Sequence, residues 1–223
     1  ASTADDTLPA SGATGTGMTP RIVARLGPGG IAPENTFAAA HVAAGLGADI
    51  VAVDVRPSRD GVFHLLRDAE VDRTTDGTGR LEEMTAAEID ALDAGARTGA
   101  EFAGEPVPRL DRFLAALRGR VDFLIDLREG DAAALGHALR TVGLDRRCMV
   151  HLSDPASVPV LAAAAPGVAQ VRGYGEAGGI GEAGGIGAAR EAGARVLRLA
   201  TGEITAARIG EARRARLDVM VAV

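Results

Sequence analysis

IAPENTFAAAHVAAGLGADIVAVDVRPSRDGVFHLLRD, residues 31–68, carries the reading on which the fold turns. Asn35 to Gly45 is Ala-rich and helical. DIVAVDV (Asp49–Val55) is a short apolar run of strand length. GVFHLLRD (Gly61–Asp68) is extended and pairs back as a hairpin arm across RPSRDG. Upstream, RIVARLG (Arg21–Gly27) is a strand ending in Gly. Downstream, Glu70–Val107 is polar, with a short helix over Thr85–Leu92. Thr85 followed by Glu88 is a capping-box pattern and marks the start of that helix. Further on come a helix (Leu110–Leu117), the strand VDFLIDLR, a helix (Asp131–Val142), the strand CMVHLS and a helix (Ala156–Ala165). VAQVRGY, RVLRLA, a helix over Thr205–Arg216 and DVMVAV complete the chain. Seven strands alternating with helices predict a parallel sheet with helical crossovers, an α/β fold of the (β/α)₈ barrel type.

Composition narrows the function classes. The chain has 223 residues, 47% hydrophobic and 24% charged, which suits one sizeable core. Aromatics are 3% and Trp is absent, so Ala, Val, Leu and Ile must build that core. All 24 basic side chains are Arg, and the net charge is -6. That balance, with no basic run, argues against nucleic acid as a partner. No apolar stretch reaches the ~18 residues of a transmembrane segment. The single Cys148 excludes an intrachain disulfide and is expected to be buried and inert. Residues 1–19 are small, polar and Gly-rich, and read as a disordered tail or linker. With the absent initiating Met, they lean towards an exported protein. EAGGIG occurs at Glu176–Gly181 and again at Glu182–Gly187, a local duplication in a loop. Gly173, Gly175 and Gly178 fit a dinucleotide fingerprint in form, but RVLRLATG lacks the acidic residue that such a site needs.

In a (β/α) barrel the reacting groups sit at the C-terminal ends of strands. Here those ends carry Arg25-Leu26-Gly27, Asp54, and Asp126 with Arg128. Period-2 alternation puts Ala52 and Asp54 on one face, and Asp126 and Arg128 on one face. Two such carboxylates fit either a hard divalent cation or an Asp–Arg ion-pair network closing the mouth. His64, three residues before Arg67, falls on the opposite face from it. His41 and His137 fall on helices. His151, on a strand, is the one histidine with a route to the mouth.

APENT and DRTTDGTG, spaced around a strand ending in Asp, resemble the glycerophosphodiester phosphodiesterase family, and EFAGEPVPRLDRFLAAL and FLIDLRE continue the likeness. It runs from about Arg21 to Glu129. The resemblance implies a (β/α)₈ barrel over 20–223 with an insertion at 70–107, apparently lacking the last helix and strand. It implies a phosphoric diester hydrolase that uses a divalent metal (Ca²⁺ or Mg²⁺) to release glycerol 3-phosphate and an alcohol from glycerophosphodiesters. The family's two catalytic histidines fall at Arg25 and Arg67. Its Glu-x-Asp metal pair falls at Ala52 and Asp54, and its Glu-x-Lys at Asp126 and Arg128. Glu34 and Asn35 are retained, and with Arg128 they are the substrate-binding candidates. Asp54 and Asp126 are the metal candidates.

Guanidinium, with a pKa above ~12, is neither a general base nor a useful general acid near neutrality. Loss of one such group typically removes on the order of 10²–10⁴ in rate. A pseudoenzyme is therefore expected. The alternative is a non-catalytic phosphate-ester binding module in which Arg25, Arg67 and Arg128 form a cradle. A third possibility is a hydrolase using Glu34 and His151 around a metal at Asp54 and Asp126. In the inert version, the arginines pair with Asp54, Asp68 and Asp126. A barrel short of its closing strand would leave open edges that invite a partner or self-association.

Overall fold

The computed structural model describes residues 20–27, 31–154, 156–173, 186, 190 and 193–222. They divide into two compact units, 20–130 and 131–222. The N-terminal segment 1–19, the duplicated EAGGIG loop (Ile186 excepted) and Gly175 and Gly178 lie outside the described residues.

The first unit contains β1 (Val23–Arg25), α1 (Phe37–Gly45), β2 (Ile50–Pro57), β3 (Phe63–Leu65), α2 (Ala86–Asp90), α3 (Leu110–Ala116) and β4 (Asp122–Leu127). β2 lies between β1 and β4, parallel to both. β3 is the expected hairpin arm, antiparallel to β2. Val55 is paired with Leu127 on one side and Leu65 on the other, so β3 continues the edge of β2 that β1 leaves. Every residue from Ile50 to Val55 is buried, as in a parallel strand covered on both faces.

α1 starts at Phe37, not at Asn35 as the composition suggested. Asn35 adopts φ 55°, a left-handed conformation that cannot continue a helix. Thr36 caps the helix instead, accepting the Ala39 N–H at 3.2 Å. The expected capping box is present at α2. Thr85 Oγ1 accepts the Glu88 N–H at 3.3 Å, and the Glu88 carboxylate accepts the Thr85 N–H at 2.7 Å. The helix is shorter than expected and ends at Asp90.

Segment 70–107 is less polar in structure than in sequence. Val71, Leu81, Ile89, Ala94 and Val107 bury one another with Leu66 in a small core. Asp93 ties its return turn by accepting the N–H groups of Gly95, Ala96 and Gly104 at 2.8, 3.0 and 2.7 Å. Gly95 is required there, because a Cβ would lie 1.8 Å from the Phe102 carbonyl oxygen.

The second unit alternates α4 (Ala132–Val142), β5 (Cys148–Leu152), α5 (Ser157–Ala164), β6 (Ala169–Gly173), β7 (Val196–Ala200), α6 (Ala206–Arg214) and β8 (Asp218–Ala222). Its strands run in the order β5–β6–β7–β8, every adjacent pair parallel. α4 packs on α5 through Gly136, where a Cβ would come within 2.9 Å of Ala164 Cβ. Leu197, Leu199, Ala212 and Leu217 form the core beneath β7 and α6. Cys148 is buried, as expected, and is in no disulfide.

Candidate functional site

Parallel pairing of β2 with β4 sets Asp54 directly beside Asp126. Both are buried, at 2% and 4% exposure. Two adjacent carboxylates removed from water need compensating positive charge. Two arginines supply it. Arg25 leaves the end of β1 and places Nη2 at 3.2 Å from Asp54 Oδ1 and 3.1 Å from Asp126 Oδ2. Arg128 follows β4 and grips Asp54 Oδ1 with Nε at 2.7 Å and Nη2 at 2.6 Å. Its Nη2 also lies 4.0 Å from Asp126 Oδ2. The cluster is formally neutral.

Asn35 completes the surroundings of Asp54. Its Nδ2 donates to Asp54 Oδ2 at 3.4 Å, and its Oδ1 accepts the Asp54 backbone N–H at 3.0 Å. Its own N–H binds the Leu26 carbonyl at 2.9 Å. The left-handed backbone of Asn35 is what turns its side chain amide onto β2 while the chain enters α1. Asn35 is thus a scaffold for Asp54. Ala52 is buried, its Cα in register with Arg25 on one side and Leu124 on the other.

Glu34 is engaged elsewhere. Arg73, from DRTTDGTG, grips both of its carboxylate oxygens with Nη1 at 2.8 Å and Nη2 at 2.6 Å, and its Nε binds Asp68. The carboxylates, Glu34 foremost, hold the Arg73 guanidinium proton far above its ordinary range. Of the inert arrangement, in which Arg25, Arg67 and Arg128 pair with Asp54, Asp68 and Asp126, the structure has Arg25 and Arg128 on Asp54 and Asp126, while Asp68 pairs with Arg73. Arg67 is exposed, and its side chain makes no ion pair among the described residues, while its carbonyl accepts Arg56 Nε at 3.0 Å. Arg73 was not among the residues singled out from sequence. A bidentate partner for Glu34 sits 39 positions away, and no local pattern specifies that pairing.

His64 is fully buried, with Nδ1 at 3.1 Å from the Val62 carbonyl and Nε2 at 3.4 Å from Asp90 Oδ1. Asp90 is in turn held by Arg109 at 2.9 and 2.5 Å, and this hydrogen bonding lowers its pKa. Burial pushes the His64 pKa below its ordinary value, outweighing the nearby Asp90. The unfolded chain therefore binds the proton more readily than the fold. The contribution of His64 is fully present above about pH 6.5 and is lost as pH falls below it. Urea unfolding between pH 7.5 and 5 should show stability falling in the native chain, with a smaller fall in His64→Gln. The difference approaches at most about 1.4 kcal/mol per pH unit, the slope for one proton. His41 and His137 are exposed on α1 and α4, and His151 is buried in β5 of the second unit.

An α/β chain with parallel strands that end in buried carboxylates and arginines belongs to the class that builds its functional site at strand C-termini. Within that class, the chain belongs to the Glycerophosphoryl diester phosphodiesterase family, whose sequence profile matches residues 27–152. A glycerophosphodiester phosphodiesterase of Caldanaerobacter subterraneus is 41% identical over 106 residues, covering 48% of this chain and 43% of that protein. The curated relatives that lead the comparison are thus matched over less than half their length, 44% and 43% for the first two. The crystal structure of a glycerophosphodiester phosphodiesterase from Agrobacterium tumefaciens superposes with a TM-score of 0.82 at 34% identity, covering 91% of this chain and 86% of that one. A phosphodiesterase from Oleispira antarctica, solved with the product sn-glycerol-3-phosphate, shares the fold at a TM-score of 0.80 and 23% identity, over 92% and 84% of the two chains. The α/β, (β/α)₈-type fold class expected from the sequence is shown by these likenesses.

Proposed function

We propose that this chain is a family member in which metal-assisted hydrolysis of glycerophosphodiesters is absent or strongly impaired. The observation that carries the reading is Arg25, whose guanidinium bridges Asp54 and Asp126. By resemblance, a general acid/base histidine belongs at position 25. Arginine there cannot exchange a proton near neutrality. It also satisfies the very carboxylates that a divalent metal would use. A metal would have to displace Arg25 and Arg128 and would find Ala52 in place of a third carboxylate. Among the described residues, no group of three or more His, Cys, Asp or Glu comes together to hold a metal ion. The residues present do not fit Ca²⁺ or Mg²⁺.

The test is glycerol 3-phosphate release from glycerophosphocholine and glycerophosphoethanolamine, with Ca²⁺, with Mg²⁺ and with EDTA. No release above the blank is expected under any condition. Metal-dependent turnover by the unsubstituted chain would overturn the reading.

A second reading, a phosphate-ester binding module, is favoured by the exposure of Arg67 and by the 43% exposure of the Arg25 side chain. Guanidinium keeps donors for a phosphate while it pairs with carboxylates, because it has five. Titration calorimetry with glycerol 3-phosphate in EDTA separates this reading from an inert remnant.

A further inference from the structure

We infer that Arg25 is a tethered cation, occupying between Asp54 and Asp126 the position that a free divalent ion would otherwise take. The inference rests on the non-hydrolysing reading above and goes beyond it by naming what fills the site. A single nitrogen, Nη2, lies within 3.2 Å of one carboxylate oxygen on β2 and 3.1 Å of another on β4. A bridging cation has that arrangement. The two carboxylates are adjacent in register and buried, so their mutual repulsion is not relieved by water. Arg25 and Arg128 together bring a charge of +2, equal to that of a divalent ion and opposite to the pair. Arg128 bonds closely only to Asp54. Among the described contacts, Arg25 Nη2 is the donor that reaches both acids within hydrogen-bond distance, so its removal withdraws a positive charge from between them while the backbone that places it stays intact. Arg25 reaches the cluster from the rim, its side chain 43% exposed, so substitution leaves no closed apolar cavity.

Two oxygen donors in a partly open site should then bind a hard cation weakly, with a Kd on the order of 1 mM. Thermal unfolding of the unsubstituted chain and of Arg25→Ala is compared in EDTA and in about 10 mM CaCl₂, a concentration that stabilises a millimolar site measurably. The native chain is expected to be indifferent to Ca²⁺. Arg25→Ala is expected to melt lower in EDTA and to recover a few degrees with Ca²⁺. Low-millimolar guanidinium, well below denaturing concentrations, should give a similar partial recovery in the variant alone. If Arg25→Ala does not yield folded protein, Arg25→Gln, which removes the charge but keeps a polar side chain with a donor amide, takes its place in the same comparison. A Ca²⁺ response in the native chain, or none in the folded variant, overturns the inference. Hydrolysis by the native chain without any Ca²⁺ effect on its melting overturns instead the reading on which it rests, so the two failures are distinguishable.

Discussion

The triple variant Arg25→His, Arg67→His, Ala52→Glu is expected to release glycerol 3-phosphate from glycerophosphocholine in the presence of Ca²⁺ or Mg²⁺. Its rate should exceed that of the unsubstituted chain by on the order of 10²-fold or more, the typical worth of a positioned acid/base group. Each substitution has a separate physical task. Arg25→His withdraws the guanidinium that bridges Asp54 and Asp126 and puts a group that titrates near neutrality at the end of β1. Ala52→Glu adds a carboxylate two residues before Asp54, on the same face of β2. Ala52 is buried, but its register partner is Arg25, so the shorter side chain at 25 frees space next to the longer one at 52. Arg67→His changes an exposed side chain and should leave stability unaltered. Arg67→His alone should give no gain, because Arg25 still holds both acids. Glycerol 3-phosphate is measured by an enzyme-coupled assay, with circular dichroism as the check on folding. A folded triple variant that binds Ca²⁺ yet stays silent would show that the chemistry was not lost at these three positions.

The parts of the fold legible in the sequence are those set by local chemistry. The Thr85–Glu88 box needs only its own four residues, and it formed. The RPSRDG hairpin needs only a turn between apolar runs, and β3 pairs with β2 there. Strand periodicity put Ala52 and Asp54 on one face and Asp126 and Arg128 on one face, because alternation is a property of the backbone; the register that sets Asp54 beside Asp126 is seen only in the structure. The choice of ion-pair partner is not local. Nothing in DRTTDGTG states that Arg73 reaches both Glu34 and Asp68. Arg73 wins because it meets two carboxylates at once, whereas Arg67 stays on the exposed side of the chain. Asn35 was a substrate-binding candidate from its motif. Its hydrogen bonds to Asp54 depend on a backbone geometry visible only in three dimensions. The polar composition of 70–107 likewise hid a small core, because its apolar residues are spaced through turns and short helices instead of along one periodic face.

Phe113→Ala is expected to cost about 3–5 kcal/mol, the largest loss from any single truncation in the first unit. With aromatics at 3% of the chain, three of the five Phe residues meet at one place. Phe113 on α3 has no exposed surface, and its ring lies 5.5 Å from Phe37 on α1 and 6.3 Å from Phe123 on β4. It therefore joins both helices to the strand that carries Asp126. The packed side chains around it cannot collapse fully into the volume of a ring, so a cavity remains. Urea denaturation should show the loss at an unchanged m-value, and the melting temperature should fall by roughly 10 °C or more. Phe113→Leu, which retains most of the volume, should cost well under half as much. The consequence extends to the site, because α1 begins at Phe37, directly after the Asn35 and Thr36 that brace Asp54 and cap the helix. A loosened Phe37 contact frees the start of α1. The Asn35 hold on Asp54 should then weaken before the fold unfolds, detectable as faster amide exchange at Asp54, whose N–H is donated to Asn35. A cost below about 1 kcal/mol would mean that α1 and α3 close over the gap, and that the link from the aromatic cluster to the carboxylate pair carries little strain.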